Sequence, residues 1–455
     1  MIDLRSARIA LLASLALAHL PCGIARAAES SAPPAARGYE ARTYIERSVN
    51  LIQEGHYDLA RTYLAPTLID HRLNPLERSR AYYLHGYSLY AQQRYVSARK
   101  DYVRALEFNP GNAAAQVALG GLYYRGEGVD PDPRLAFGFF EQAAAQDHPE
   151  ALLYMGYAYL EGRGVEQDLA QARSRLQKAA DNGSSEAMIF LGRSYREPVT
   201  DSPDPALAQS WYQRAYEAGE VDGLVAQAFM YRDGELGSAD IDRAFELFSQ
   251  AAGEGSSAAK LSLGHMYLVG EGTVPDPGRA RELFEAAIAQ GNYGGAVNLG
   301  HMFEVGLGVE KNPDTALHWY EMGAAADNPQ AQLRAFYLLL RRGEAEAAAN
   351  WLARAARHDL PQAHNDYAWL LSTSRQDHMR DGQRALTYAQ LAVNRQSSPA
   401  YLDTLAAAYA ELGRFPEAIA TQQRAIGLIT DQTSEEARAL AEHLAAYQAQ
   451  QPWRE

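Results

Sequence analysis

The chain has 455 residues, of which 47% are apolar and 22% charged, a formal net charge of −14 and one cysteine. Nucleic acid is an unsuitable partner for that balance: phosphate contacts need a basic stripe, and here Lys100, Lys178, Lys260 and Lys311 merely interrupt an arginine set interspersed with acids. A disulfide framework is excluded too, so packing alone must hold the fold. Residues 1–27 read as a signal peptide. Arg5 and Arg8 precede an apolar stretch from Ile9 to Leu20 that is too short for a permanent span, and Ala25-Arg26-Ala27 supplies a small-x-small cleavage pattern. Cleavage is therefore expected after Ala27, with the periplasm as destination. Cys22 invites a lipoprotein reading, but His19-Leu20-Pro21 before it lacks the leucine and the small residue of such a site, so an outer-membrane anchor is the weaker expectation. The processed chain then has no cysteine, and no later segment has the apolar length of a transmembrane span. Residues 28–38, with Pro33-Pro34 and small residues, read as a flexible lead-in.

Residues 39–112 carry two helix pairs. One is weakly marked around Gly55, Tyr57 and Ala60; the other, from Ser79, places Gly86, Leu89, Ala98, Tyr102, Ala105 and Pro110 in a 34-residue frame. From 113 to 328 a 36-residue period runs through six copies without insertion or deletion. Gly120, Gly156, Gly192, Ala228, Gly264 and Gly300 stand one period apart, each followed three residues later by Tyr123, Tyr159, Tyr195, Tyr231, Tyr267 or Phe303. Ala136, Ala172, Ala208, Ala244, Ala280 and Ala316 form another column, and Ala143, Ala179, Ala215, Ala251, Ala287 and Gly323 a further one. Self-similarity at this spacing marks a solenoid, whose units cannot bury their own apolar faces and must stack. Positions 132, 168, 204, 240 and 276 are Asp and 312 is Asn, four of the six followed by proline. That is helix-start chemistry: an Asx oxygen accepts from first-turn amides, and proline loses nothing at the first helical position. Gly183, Gly219, Gly255 and Gly291, in phase with Asp147 and Asp327, sit where a left-handed residue can close the second helix. Each unit thus reads as helix, loop, helix, turn.

The run Leu119-Gly120-Gly121-Leu122-Tyr123-Tyr124-Arg125-Gly126-Glu127-Gly128-Val129 and its copies, with Gly162-Arg163-Gly164-Val165 and Gly306-Leu307-Gly308-Val309, resemble Sel1-like repeats over about half the chain. The third copy departs, with Glu197-Pro198-Val199-Thr200-Asp201-Ser202-Pro203 in place of the Gly-x-Gly loop. Residues 39–112 resemble tetratricopeptide repeats. So do residues 363–432, through Ala406, Tyr409, Gly413, Phe415, Ala418 and Ala425. Between them, Trp319, Asp327 and Pro329-Gln330-Ala331 return 32 residues later as Trp351, Asp359 and Pro361-Gln362-Ala363, which suggests a degenerate Sel1-like unit at 329–362 with its loop shortened by four. Residues 433–455 hold a capping helix, with Ala437, Leu440, Ala441, Leu444 and Ala445 on one face, and a tail. The resemblance implies an all-α fold, a right-handed superhelical solenoid of stacked antiparallel helix pairs.

Chemistry is sparse in this pattern. Ser97-Ala98-Arg99-Lys100 matches the Ser-x-x-Lys of penicillin-interacting enzymes, but Ala98 is a packing position and no Lys-Thr-Gly or Ser-Asp-Asn partner occurs. His265 and His301 occupy one column in successive units, where stacked helices about 8–10 Å apart keep two imidazoles from sharing a zinc ion. Capping already explains Asp130-Pro131-Asp132. No catalytic residue, metal or cofactor is expected.

The informative column follows the small residue of the first helix: Gly121, then Tyr157, Arg193, Phe229, His265, His301 and, in the shortened unit, Tyr337. It changes chemical type at every step but the one from His265 to His301, while its neighbours are nearly constant. First helices of such repeats line the concave side, so these residues are the expected partner-binding ladder. Exported proteins that mix the two repeat types include scaffolds of alginate export and periplasmic regulators of exopolysaccharide synthesis. The function the resemblance implies is thus a non-enzymatic scaffold for other envelope proteins, in exopolysaccharide secretion for example. The alternative is a periplasmic regulator that restrains a sensor kinase.

Overall fold

The computed structural model describes residues 40–196 and 203–455. The signal peptide, the lead-in and nearly all of the divergent third loop lie outside the described residues. Among those residues the regular structure is all helical, in two compact units that meet in sequence after Glu254. The first unit holds α1 (Ala41–Gln53), α2 (Tyr57–Leu68), α3 (Pro75–Ala91), α4 (Tyr95–Phe108), α5 (Ala113–Arg125), α6 (Pro133–Ala144), α7 (Pro149–Glu161), α8 (Leu169–Asp181), α9 (Ser185–Arg196), α10 (Pro205–Glu217), α11 (Asp222–Arg232) and α12 (Ile241–Gly253). The second holds α13 (Ser257–Val269), α14 (Pro277–Ala289), α15 (Gly294–Val305), α16 (Pro313–Ala325), α17 (Pro329–Arg341), α18 (Ala345–Ala355), α19 (Pro361–Thr373), α20 (Gly382–Arg395), α21 (Pro399–Glu411), α22 (Phe415–Gly427) and α23 (Glu435–Gln448). Odd- and even-numbered helices pack as antiparallel pairs, and within each unit every pair stacks on the next. This is the all-α solenoid architecture that the repeats require.

The loop chemistry sets where each second helix begins. Asp132, Asp168, Asp204, Asp240, Asp276 and Asn312 all accept a backbone N–H from the first turn through their side chains, at 2.9–3.0 Å to the third residue on. Their own amides donate back to the carbonyls of Tyr123, Tyr159, Tyr195, Tyr231, Tyr267 and Phe303. The aromatic column therefore ends the first helix at the point where the cap starts the second. Gly183, Gly219, Gly255 and Gly291 take positive φ at the helix-closing column, and so do Asp147 and Asp327 in phase with them. The Gly-x-Gly loop is fixed by close approach as well: a Cβ on Gly164, at φ +86°, would lie 2.2 Å from the carbonyl oxygen of Pro133 in the preceding repeat.

The core sits between paired helices, where the alanine columns are sealed. Ala136, Ala172, Ala208, Ala244, Ala280 and Ala316 have no exposed surface, and neither have Ala143, Ala179, Ala215, Ala251 and Ala287. The rings that fill the groove do not come from the aromatic column three residues after the small one. Tyr159 and its equivalents are half-buried, whereas Phe140, Tyr212, Phe284 and Tyr320, with Leu176 in phase, lie against the small residues. A Cβ on Gly120, Gly156, Gly192, Gly264 or Gly300 would come within 2.4–2.7 Å of them. The reason is direction, since a second-helix side chain three residues before the buried alanine of the closing turn points straight at the first helix.

The capping helix also differs in its buried face. Ala437, Leu440, His443 and Tyr447 are covered, while Ala441 and Ala445 are exposed. His443 enters because a partner and a ring receive it: its Nδ1 is 2.8 Å from Asp403, and Trp453 covers its ring at 4.4 Å. No helix among the described residues is long and apolar enough to cross a membrane.

Candidate functional site

Successive first helices touch one another in both units, α1 with α3, α3 with α5 and α7 with α9, then α15 with α17 and α19 with α21. Second helices of neighbouring repeats meet less. The ladder residues lie on first helices, and their settings differ from rung to rung. In the first unit Tyr157 (α7) is half-buried between Phe190 and Tyr124, at centroid distances of 5.1 and 6.2 Å. Arg193 (α9) pairs with Glu161 and lies 5.9 Å over Phe190, so Phe190 brings Tyr157 and Arg193 together. Phe229 (α11) meets the buried Phe248 edge-on at 5.0 Å, under the guanidinium of Arg232 at 4.8 Å. In the second unit His265 (α13) and His301 (α15) are exposed. Tyr337 (α17) donates its hydroxyl to Asp366 and leans on Phe336 at 5.0 Å. Burial, and then that hydrogen bond, push its phenol well above the usual range. Four of the six ladder residues are therefore tied into neighbouring rings and ions, and the two histidines stand free of the core.

Where the ladder has glycine, the first unit has a cavity of about 60 Å³. Gly121 (α5) contributes no side chain, and the space it leaves is walled by Tyr83, Tyr87 and Tyr90 of α3, by Val117 and Arg125 of α5, and by Glu150 and Tyr154 of α7. Arg125 is held on three sides: it donates to Glu127 at 2.8 Å, to the Tyr90 hydroxyl at 3.0 Å and to the Tyr154 hydroxyl at 3.1 Å. Glu150 makes no hydrogen bond or ion pair among the described residues. Part of its surface still meets solvent, but it lies deep enough in the cavity for desolvation to push its carboxyl up to about 7; Arg125 opposes that rise and Glu186 adds to it. Burial likewise raises the phenols of Tyr87 and Tyr90 to about 12, so both are neutral donors at physiological pH. The ladder column does not show this constellation. The signal available in sequence is the tyrosine spacing i, i+4, i+7 on α3 opposite a glycine at a ladder position.

Two histidine–aspartate pairs have a structural setting. His85 Nδ1 and Asp101, 2.6 Å apart, join α3 to α4. His443 and Asp403, with Gln422 donating to the same carboxylate oxygen at 2.7 Å, join α21, α22 and α23 beneath the cap. No group of three or more potential metal ligands occurs among the described residues.

The chain is similar in structure to c5321, "a protective antigen present in uropathogenic Escherichia coli strains displaying an SLR fold", at 25% identity over 90% of this chain and 88% of that one, with a TM-score of 0.47. It is similar to a Sel1 repeat protein from Oxalobacter formigenes at 28% identity over 53% of this chain and 96% of that one, TM-score 0.45. Yeast Tom70 matches at 14% identity over 90% of this chain and 96% of that one, TM-score 0.38. No curated protein matches. The Sel1 repeat model matches residues 113–148, 149–184, 185–220, 224–256, 257–292, 295–328 and 361–397, the last overlapping the stretch read above as tetratricopeptide-like. Those segments make up just over half of the sequence, and with the capped, glycine-looped helix pairs they define it: the chain belongs to the Sel1 repeat family.

Proposed function

We propose that this protein is a non-enzymatic periplasmic scaffold that gathers other envelope proteins along its first-helix face, in an assembly serving exopolysaccharide secretion. Sel1 repeat proteins generally mediate protein–protein interaction. The observation that carries the reading is the contrast between columns: the small and alanine positions of the 36-residue repeats are sealed, while the residue just after the small one varies between tyrosine, arginine, phenylalanine and histidine on the first-helix face. A surface built that way keeps its backbone frame constant and varies what it presents, which suits recognition of large partners. The periplasmic part of the proposal is supported by the leader-like residues 1–27 and is tested by sequencing the N-terminus of the protein isolated from cells, which should begin at Ala28.

The scaffold part is tested on exposed rungs, because replacing Tyr157 or Phe229 would also remove ring packing. His265→Asp combined with His301→Asp leaves the core untouched. Envelope proteins that co-purify with the wild-type chain should be lost from the double variant at unchanged thermal stability. Undiminished co-purification would remove these rungs from the binding face.

A further inference from the structure

The tyrosine-walled cavity holds one carboxylate, Glu150, that has the field of Arg125 near it but no hydrogen-bonded or ion-paired partner among the described residues. Arg125 already has a counter-ion in Glu127 and two fixed hydroxyl partners, so it is spoken for. Glu150 has none, and Glu186 on α9 adds a second negative field to it. Around the carboxylate stand the rings of Tyr83, Tyr87 and Tyr154 and the apolar wall of Val117. An unpaired carboxylate behind aromatic and apolar walls suits a ligand with an alkyl stem and a cationic head, the stem against Val117 and the head against Glu150. The room at Gly121, about 60 Å³, admits a compact ammonium more readily than a planar guanidinium. The net acidity of the chain favours approach by a basic segment.

We propose that the cavity between α3, α5 and α7 is a lysine-binding pocket, in which Glu150 and the tyrosine walls receive the ammonium of a lysine side chain presented by a partner protein. This deepens the scaffold reading and rests on it for the identity of the partner, but a small probe tests the pocket alone. Below about pH 7 a proton occupies the place of the ammonium in the unliganded protein, because burial raises the carboxyl to about 7. Lysine binding must expel that proton, so affinity is full above pH 7 and falls about tenfold per pH unit below it, in keeping with one proton released per ligand bound. The titratable groups that line the cavity with Glu150 are Arg125 from α5, Tyr83, Tyr87 and Tyr90 from α3, Tyr102 from α4, and His148 and Tyr154 from the start and body of α7, while Glu186 from α9 adds its field.

The experiment titrates the full chain with acetyl-Gly-Lys-Gly-amide and with its norleucine counterpart, which keeps the stem and lacks the charge, followed by calorimetry or NMR shifts. At pH 8 the lysine peptide should bind at least tenfold more tightly than the norleucine peptide. Glu150→Gln, which mimics the neutral carboxyl, should abolish that difference together with the pH dependence, whereas His148→Asn should keep both. Gly121→Leu should block binding by filling the space; its Cβ would lie 2.9 Å from Arg125 Nη2, so the guanidinium must shift, and circular dichroism checks that the helices are retained. Equal affinity for the two peptides, tighter binding of the arginine or glutamate analogue, or lysine binding that survives Glu150→Gln would each overturn the proposal. Any of those results leaves the double-histidine test of the scaffold reading intact.

Discussion

Gly120 on α5 and Gly138 on α6 belong to one repeat, yet a methyl group added to each meets opposite surroundings. At Gly120 the new carbon would lie 2.6 Å from Phe140 Cε1, 2.9 Å from Cδ1 and 3.2 Å from the carbonyl oxygen of Ala136. The ring has no exit, because Phe140 is fully buried and stacked on Tyr154 at 4.6 Å. At Gly138 nothing lies within 4 Å. Replacing glycine by alanine inside a helix gains about 1 kcal/mol through the backbone. Overpacking a well-filled core costs about 1–3 kcal/mol. Gly120→Ala should therefore lose about 1 kcal/mol net while Gly138→Ala gains nearly as much, a split of about 2 kcal/mol within one helix pair. At roughly 2–4 °C per kcal/mol, the two variants should melt about 4–8 °C apart. Thermal unfolding followed by far-ultraviolet circular dichroism measures it. A Gly120→Ala protein as stable as Gly138→Ala would refute the claim that the small-residue column is steric.

Asp168→Ala removes the oxygen that accepts from the Gln171 amide at the start of α8 and should cost about 1 kcal/mol, while Glu166→Ala, exposed in the same loop, should stay within about 0.5 kcal/mol; urea unfolding distinguishes them. Glu150 carries a pH signature in stability as well. Its folded-state pKa near 7 stands above the ordinary 4.5, so the folded chain binds more protons than the unfolded one between those values and stability falls as pH rises through that window. Glu150→Gln should accordingly raise the melting temperature at pH 8 and change it little at pH 4.

Much of the fold was legible because its signals are local and repeated. Six Asx caps, each bonded to its own first turn, and a left-handed column that includes Asp147 and Asp327 need only the sequence to be placed. The alanine columns were legible for the same reason. What sequence did not settle is direction: which ring meets the small residue depends on how a second-helix side chain points across the pair, and Phe140 rather than Tyr123 meets Gly120. The cap was misjudged because polar residues enter its buried face, where His443 finds Asp403. At the candidate site the ladder positions follow from the repeat frame, but their burial does not. Tyr157 is engaged with Phe190 of the next repeat and Phe229 with Phe248 of its own second helix, contacts that depend on how the helices pack. The tyrosine cavity was missed since it is assembled from three first helices around an absent side chain, and a glycine in a variable column reads as a gap until its neighbours are known.

The central claim is that the first-helix face binds partners while the second helices serve as frame. Site-specific photo-crosslinking in living cells tests it most directly, with the crosslinker placed one position at a time at the exposed rungs His265 and His301 and at the exposed second-helix residues Glu282 and Glu285. The rungs should yield one shared adduct with an envelope protein, and the second-helix positions none. Adducts formed from Glu282 and Glu285 but not from the histidines would contradict the account.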